Sequence, residues 1–564
     1  MRNRYIAGMA VVLSAAALAA TAVPPGPFDL VITNGHIVDG TGSPWYSGDV
    51  GIRDGKVAAI GALAGAARAR TVDAKGMVVA PGFIDMLGQS ELTILVDPRL
   101  PSKIYQGITT EITGEGGSAA PQNDATIKEG EPEYRRLQVT PDWRTFGHYF
   151  ARLEKQGMGI NLASYVGATQ VRAVVLGFSD VQPTATQLGQ MQQLVRDAMK
   201  DGAVGLSTSL EYPPAPYART EELIALASEA SKAGGIYATH MRSEGDGVLT
   251  AIDETTRIGR EAHIPVEIWH FKVGGVSNFG RMPEAVARVN AARAAGVDIS
   301  ADTYAYTAWS NGLSAFIPPW AHDGGTEKLV ARLKDPATRA RIRADMLKPS
   351  AEWDNEWQEV SSPDGVMITL VQNPQLVQFQ GKRLTDVAKA WNKDPMDALF
   401  DFLIADNAFT NCAVFGMSEP DVRLAVQQPW VSFDNDSSGA SPEGVLGKEH
   451  PHPRAYGTFP RILRKYVREE KLLTLADAIR KMSALPAQRM RLTDRGVLKE
   501  GMWADIVVFD PETIRDLATF EEPNQLSQGM EYVLVNGVPV IDGGKMTGKL
   551  PGKVLRGPGY APGS

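Results

Sequence analysis

The fold is decided by residues 234–275, GGIYATHMRSEGDGVLTAIDETTRIGREAHIPVEIWHFKVGG. Two short apolar runs, 236–240 and 265–270, each end in a histidine, and the segment between them carries apolar side chains at helical spacing. This pattern predicts a strand, a helix and a second strand parallel to the first in one sheet. His240 and His270 are therefore expected at the same end of adjacent strands. A histidine that closes a strand usually only makes hydrogen bonds, but two at matched positions could share one divalent metal ion.

The composition is that of a globular protein, and it excludes several classes of function. The 564 residues are 43% hydrophobic and 22% charged, which is sufficient for a large core and for more than one domain. The formal net charge of -8 provides no basic face, so we expect no nucleic-acid partner. With a single cysteine, Cys412, the chain cannot form an internal disulfide.

The N-terminus has the pattern of a secretory signal peptide. Arg2 and Arg4 precede an apolar run over residues 6–20, and residues 20–22 supply a small-x-small cleavage sequence. We expect residues 1–22 to be removed and the protein to be exported, either to a periplasm or to the medium. A membrane anchor is the alternative, but about fifteen apolar residues are short for a span. No membrane span is expected after the leader is removed.

The segments near both chain ends have the texture of antiparallel strands. Within residues 23–80, alternating apolar residues are interrupted at Asn34-Gly35 and again at residues 54–55, as they are in hairpins. A similar alternation returns within residues 491–564. The simplest arrangement is one small β-sandwich domain that is formed from both chain ends and has the remaining residues inserted into it.

The middle of the chain, residues 81–490, alternates strands with helices. Eight strand candidates with helical patterns between them predict an α/β fold, a (β/α)8 TIM-like barrel. The connection at about 305–429 is too long for a simple crossover, and we expect an insertion there that covers the barrel mouth. The strand candidates are residues 78–85, 109–114, 161–167, 204–208, 236–240, 266–270, 297–304 and 430–436.

Seven stretches of the chain follow one another in the order of a known family. They are APGFID (80–85), QGITTEITGEGG (106–117), YATHMRSEGDG (237–247), VEIWHFKVGG (266–275), DTYAYTAWSNGL (302–313), HPRAYGTFPRILRKYVRE (452–469) and GVLKEGMWADIVVFDP (496–511). With them the chain resembles the N-acyl-D-amino-acid deacylases, or D-aminoacylases, of the amidohydrolase superfamily. The resemblance implies a zinc-dependent hydrolase that acts on the linear amide of a small substrate with a carboxylate.

The resemblance also implies roles for individual residues. His240 and His270 match the two histidine ligands of the zinc, whose bound water has a pKa that falls towards ~7. Asp436 matches the aspartate that takes the proton of this water and delivers it to the leaving nitrogen. Asp434, on the same face of the strand, competes for that role. The groups that match those holding the substrate carboxylate are Lys272, Tyr304, Ser310 and Arg454, of which the arginine offers a planar two-pronged donor.

The chain departs from the family pattern at two places. The superfamily usually has a His-x-His pair after the first barrel strand, where this chain has Leu87 and Gln89, so a two-metal centre is not expected. The cysteine ligand common in the deacylases aligns with Gly116. The preceding Glu115 could replace it, with Glu111 as the less favoured substitute, because a carboxylate is an acceptable zinc ligand. We therefore expect one zinc per chain, held by Glu115 and the two histidines.

Two other functions remain open at this point. The same centre could act on another bond, such as a dipeptide with a D residue, a carbamoyl group or a lactone, because similar folds accommodate different substrates. Alternatively, the barrel could be a non-catalytic ligand-binding protein that has lost part of its metal site. The joint presence of both strand-end histidines, Asp436 and Arg454 argues against the second alternative.

Overall fold

The computed structural model describes residues 27–350 and 352–562. The predicted signal peptide at 1–22 lies outside these residues. Within them, none of the helices combines the length and the apolar character that a membrane crossing requires.

Strands from both chain ends form one sheet. They are β1 (Phe28–Ile37), β2 (Tyr46–Arg53), β3 (Lys56–Gly61), β4 (Arg68–Asp73), β5 (Val78–Pro81), β18 (Ile506–Phe509), β19 (Met530–Val535), β20 (Val538–Asp542) and β21 (Lys545–Met546). The strand order is β21-β20-β19-β18-β5-β1-β2-β3, and β4 pairs with the first half of β1. The antiparallel pair β5–β18 joins the two chain ends. Apolar residues of both ends, such as Leu30, Ile52 and Ile506, share one buried core.

The Asn34-Gly35 hairpin was predicted wrongly. Strand β1 continues through this dipeptide as a bulge, with Asn34 at φ 57°, and pairs with β2 on both sides of it. The strand remains extended because β4 pairs with its first half and β5 with its second half. The turn at Asp54-Gly55 is confirmed between β2 and β3, and both of its residues have positive φ.

The predicted barrel is confirmed. Its strands are β6 (Phe83–Asp85), β7 (Ile108–Thr113), β8 (Asn161–Ser164), β9 (Val166–Gly167), β10 (Gly205–Ser209), β11 (Ile236–His240), β12 (Val266–Ile268), β13 (Ile299–Thr303) and β17 (Val431–Phe433). Neighbouring strands are parallel, and β8 and β9 are two halves of one strand. The barrel closes where Met86 N donates to Phe433 O at 3.4 Å, beside a parallel bridge between Gly88 and Ser437.

Helices α5 to α10 connect barrel strands, α11 to α16 lie within the predicted insertion, and α17 to α19 follow β17. The helices are α1 (Thr93–Val96), α2 (Pro101–Ile104), α3 (Asp124–Glu129), α4 (Glu131–Leu137), α5 (Phe146–Gln156), α6 (Ala168–Leu176), α7 (Ala185–Asp201), α8 (Thr220–Lys232), α9 (Val248–Glu261), α10 (Met282–Ala294), α11 (Thr326–Lys334), α12 (Pro336–Met346), α13 (Glu356–Glu359), α14 (Leu384–Trp391), α15 (Pro395–Ala405), α16 (Glu419–Gln427), α17 (Arg454–Arg461), α18 (Leu475–Met482) and α19 (Ala484–Arg489). A π-helical segment, Ile462–Glu469, continues α17.

The segment between β13 and β17 contains a second, antiparallel sheet. It is made of β14 (Trp309–Gly312), β15 (Val366–Leu370) and β16 (Asn411–Val414), in the order β14-β16-β15. All four residues of β14 line the cavity at the barrel mouth. The insertion therefore contributes a wall of the candidate site.

Candidate active site

Four of the predicted site residues come from the carboxyl ends of barrel strands. His240 closes β11 and His270 follows β12 by two residues, while Glu115 and Asp436 follow β7 and β17. Because the strands are parallel, these ends meet at one mouth of the barrel. There the four side chains line a cavity of about 390 Å³.

Three of these side chains converge as metal ligands would. Glu115 Oε1 lies 3.1 Å from His240 Nδ1 and 3.4 Å from His270 Nε2. The two imidazole rings are 4.6 Å apart at 78°. Zinc bonds of about 2.0–2.1 Å in a tetrahedron place neighbouring donor atoms about 3.3 Å apart. The donor set of one carboxylate and two imidazoles, with these spacings, fits a zinc ion.

The other nitrogen of each imidazole meets a second carboxylate. His240 Nε2 lies 2.8 Å from Glu211 Oε2, and His270 Nδ1 lies 2.8 Å from Glu244 Oε1. Lys272 Nζ is 2.7 Å from the same nitrogen of His270 and 2.5 Å from Glu244 Oε2. The nitrogen cannot both donate to Glu244 and accept from Lys272. We favour donation to Glu244, since a carboxylate behind a ligand histidine fixes the ring and increases the basicity of its metal-facing nitrogen.

Opposite charges balance one another within the site. Burial opposes ionisation of Glu115, but hydrogen bonds from His240 and His270 hold its pKa well below the usual range. Burial likewise opposes ionisation of Glu244, but Lys272 and the two imidazoles lower its pKa. Burial lowers the pKa of His240, but Glu244 and Glu115 raise it well above its ordinary value. A metal ion that binds here displaces protons from the imidazoles.

Asp436 faces the cavity and Asp434 does not. Asp436 Oδ2 lies 2.8 Å from Arg454 Nη1, and both residues line the cavity. Burial raises the pKa of Asp436, while Arg454 lowers it. Asp434 is fully buried, and its neighbour Asp302 has a pKa raised well above the usual range by burial and by the Asp434 carboxylate. Asp434 does not line the cavity, and its carboxyl group interacts with that of Asp302 instead.

Of the four residues predicted to hold the substrate carboxylate, three line the cavity and one does not. Arg454, Lys272 and Ser310 line the cavity, and Arg454 Nε is buried without a hydrogen-bond partner among the described residues. Ser310 donates its hydroxyl to Cys412 O at 2.8 Å, and its carbonyl accepts from Arg454 Nη2 at 3.2 Å. Tyr304 is not brought to the cavity: its ring packs between Lys272 and Arg454, at 5.8 and 4.7 Å.

Comparisons with known proteins agree with this architecture. A sequence model of the amidohydrolase family matches residues 446–541, and one of the N-terminal domain of the urease alpha subunit matches residues 5–83. A D-aminoacylase from Alcaligenes xylosoxydans xylosoxydans is 36% identical over 539 residues, which are 94% of this chain and 98% of that protein. The chain belongs to the D-aminoacylase family.

Two solved structures of D-aminoacylase relatives share the whole architecture. The crystal structure of N-acyl-D-glutamate deacylase from Bordetella bronchiseptica holds zinc and a phosphonate mimic of the tetrahedral intermediate. It matches with a TM-score of 0.79 and 34% identity, over 94% of this chain and 100% of that one. A D-aminoacylase structure with the same scores and coverage is described as having a binuclear metal centre with one-metal activation and second-metal attenuation.

In this member of the D-aminoacylase family, a glutamine amide lies beside the metal donors. Gln89 Nε2 donates to Glu115 Oε2 at 2.7 Å and to Asp436 Oδ1 at 3.0 Å. It therefore links the predicted ligand to the predicted proton carrier. The sequence alone shows Gln89 only as the residue at the second position of the missing His-x-His pair, and that position after the first barrel strand is the signal for its place in the site.

The chain's local geometry disfavours the alternatives to Glu115. Gly116 has φ +61°, and a Cβ there would lie 2.5 Å from Ser209 Cβ, so a larger side chain does not fit. Glu111 is fully buried and bound elsewhere: its Oε1 accepts from Ser90 Oγ at 2.7 Å and lies 3.3 Å from Lys103 Nζ. Glu111 is thus part of a buried ion network beneath the site.

Two residues of this D-aminoacylase relative adopt a backbone conformation that is rare for side-chain-bearing residues. His270 has φ 37° and Asp436 has φ 45°. Such strain costs on the order of 1–3 kcal/mol and concentrates at functional sites. It turns both side chains into the cavity directly after their strands.

Proposed function

We propose that the protein hydrolyses the amide bond of N-acyl-D-amino acids with one zinc ion held by Glu115, His240 and His270. The observation that carries this proposal is the convergence of these three donors beside Asp436, in a chain 36% identical to a D-aminoacylase. A zinc ion bound there lowers the pKa of its water, so that hydroxide is available near neutral pH.

Asp436 is the proton carrier in this proposal. Its carboxylate lines the cavity next to the metal donors, and its Oδ1 accepts from Gln89 at 3.0 Å. It takes the proton of the attacking water and delivers it to the leaving nitrogen, which otherwise would have to depart as an unstable anion. The pKa of Asp436, raised by burial, favours its acceptance of a proton during the reaction.

Arg454 is the anchor for the substrate carboxylate. The residue is 2% exposed, and its Nε donor is unused within the described part of the chain. A buried arginine with an unused donor is a ready partner for a carboxylate. Lys272 and Ser310 lie on the same cavity wall and complete the polar surface, and the Tyr304 ring supports both cations from behind.

One zinc is expected rather than two. Leu87 is fully buried and offers no donor, and the Gln89 amide is already engaged with Glu115 and Asp436. Metal analysis of the purified protein should give about one zinc per chain, with hydrolysis of N-acetyl-D-amino acids in an amine-release assay.

Two substitutions test the roles separately. Glu115→Gln should lose most of the zinc, because a neutral amide is a weaker ligand than a carboxylate. Asp436→Asn should keep the zinc and lose turnover by about 10²-fold or more, because it cannot carry a proton. Asp434→Asn is the matched control and should retain most of the rate. If Asp434→Asn were the inactive variant and Asp436→Asn the active one, the proton carrier would be misassigned.

We also propose export. Support comes from the sequence of residues 1–22, which has the basic, apolar and small-residue regions of a signal peptide. N-terminal sequencing of the protein from the periplasm or medium should begin at Val23, and a chain that lacks residues 1–22 should stay in the cytoplasm. Full-length protein in the cytoplasmic fraction would contradict export.

A further inference from the structure

A second cluster of carboxylates lies beside the metal donors. We call Glu211, Asp354, Glu356 and Glu359 the acidic subsite. Glu211 follows β10, and the other three lie in or next to α13 within the insertion. Within the described residues, none of the four forms an ion pair with a lysine or an arginine, and Glu211 pairs with His240 alone.

Glu359 is the member of the acidic subsite whose carboxylate has no hydrogen-bond donor among the described residues. It is only 9% exposed, it lines the cavity, and it accepts no hydrogen bond from any described residue. Glu356 accepts from Trp309 Nε1 at 3.3 Å and from Asn311, but its Oε2 is buried without a partner. A buried carboxylate without a donor is costly unless a ligand supplies one.

No lysine or arginine of the described residues neutralises the acidic subsite, although Asp354 accepts hydrogen bonds from Ser243 Oγ at 2.6 Å and from the backbone N of Glu244 and Gly245. Burial and the neighbouring Glu211 raise the pKa of Asp354 to about 7, and burial and neighbouring carboxylates raise the pKa of Glu359 well above its usual range. The cavity's cations are engaged elsewhere: Lys272 with Glu244, and Arg454 with Asp436. A cation from outside the protein would relieve this repulsion.

The acidic subsite adjoins the proposed carboxylate anchor. Trp309 and Asn311, which donate to Glu356, flank Ser310 on β14. In an N-acyl-amino acid, the side chain leaves the carbon that bears the carboxylate. Arg454, Ser310, Asp354 and Glu359 all line the same cavity, so a substrate whose carboxylate is held by Arg454 extends its side chain within the cavity that the acidic subsite lines.

We propose that the acidic subsite binds the ammonium or guanidinium group of a basic D-amino acid side chain. This inference rests on the proposed function, and it makes N-acyl derivatives of lysine-like and arginine-like D-amino acids the preferred substrates. The spread of the carboxylates favours an organic cation with several N–H donors over a metal ion. Of the four, only Glu211 belongs to a group of ligand atoms that converge, together with His240 and Glu244.

The test compares charged substrates with neutral substrates of the same shape. kcat/KM for N-acetyl-D-lysine and N-acetyl-D-arginine should exceed that for N-acetyl-D-norleucine and N-acetyl-D-citrulline by roughly tenfold or more. In Glu359→Gln the preference should collapse through a higher KM for the charged substrates, with little change for the neutral ones. Because Glu359 accepts no hydrogen bond, this variant should fold as well as the parent. Glu133→Gln, on the cavity rim beside Arg136, is the matched control and should keep the preference.

The outcomes separate this inference from the proposed function. If neutral N-acyl-D-amino acids are hydrolysed as fast as basic ones, the acidic subsite is misassigned and the deacylase proposal survives. If no N-acyl-D-amino acid is hydrolysed, calorimetric binding of N-acetyl-D-lysine and N-acetyl-D-norleucine still tests the subsite, and equal affinities would overturn it. The inference would also be overturned if the parent bound a second zinc ion per chain and Glu359→Gln lost it, because the acidic subsite would then be a metal site.

Discussion

At the scale of single residues, the most informative side chain is Gln89. Its amide donates to both Glu115 and Asp436, so it holds a predicted ligand and a predicted proton carrier in one arrangement. We expect Gln89→Leu to lower kcat by about 10–100-fold, since groups that orient ligands are worth that much. Metal analysis should still find about one zinc per chain, because all three donors remain.

The control for Gln89→Leu is Gln170→Leu. Gln170 donates to Pro121 O at 2.8 Å outside the metal-donor cluster, and its loss should leave kcat nearly unchanged. An unchanged kcat in Gln89→Leu itself would show that the two carboxylates keep their orientation without the amide. Zinc loss in that variant would instead make Gln89 a determinant of metal affinity.

The site residues differ in how far sequence could predict them. His240, His270, Glu115 and Asp436 lie at or just after the ends of barrel strands. Because parallel strands bring their carboxyl ends together, the sequence could predict that these four side chains meet. Glu211, Asp354 and Glu359 come from a loop and an insertion, whose positions depend on tertiary packing that has no periodic signature in sequence. Tyr304 shows the converse: it follows the end of β13 but does not line the cavity.

At the scale of elements, a buried lysine joins α18 to the C-terminal end of α16. Lys481 is 0% exposed, and its Nζ donates to Val426 O at 2.6 Å and to Gln428 O. Burial lowers its pKa to about 7. The pKa of this lysine in the unfolded chain is 10.5. Between pH 7 and 10.5 the unfolded chain therefore binds more protons than the folded chain, so the free energy of unfolding rises with pH.

We therefore expect Lys481→Met to flatten the dependence of stability on pH. From pH 7 to 9 the parent should gain about 2 kcal/mol more unfolding free energy than the variant. Urea denaturation at the two pH values measures this difference. The exposed Lys499→Met serves as the control and should follow the parent. Parallel pH curves for parent and Lys481→Met would show that Lys481 remains charged in the fold.

The helices and strands that the sequence predicted best are those whose apolar pattern has a single physical cause, the burial of a strand on both faces. All eight barrel strands lie within or next to their predicted segments, because buried parallel strands are short apolar runs between helices. The Asn34-Gly35 dipeptide shows the limit. It favours a hairpin locally, but a Cβ at Gly35 would lie 2.4 Å from Val79 Cγ2, so the position instead serves the close approach of β1 to β5. That neighbour is 44 residues away in sequence.

At the scale of the whole molecule, a buried polar network fastens the sheet of the chain ends to the barrel. Asp505 accepts from Arg495, from Asn161 Nδ2 at 3.2 Å and from Asn536 N at 2.7 Å, and Asn536 Nδ2 donates to Asn161 Oδ1 at 2.8 Å. Asn161 begins β8, so the network lies at the amino end of the barrel, opposite the candidate site. It couples the C-terminal part of the sheet to the barrel, and none of its four residues lines the cavity.

Replacement of Arg495 should therefore lower the free energy of unfolding and leave the catalytic rate unchanged. Arg495→Met leaves the Asp505 carboxylate buried without its ion-pair partner, which should lower the unfolding free energy by about 3–5 kcal/mol. The double variant Arg495→Met/Asp505→Asn should recover part of this loss, because no buried charge remains. Chemical denaturation measures both effects, and the rate per folded molecule should equal that of the parent. If the double variant were no more stable than Arg495→Met, the arginine would contribute through packing rather than through its charge. A lower rate per folded molecule would mean that this network affects the active site.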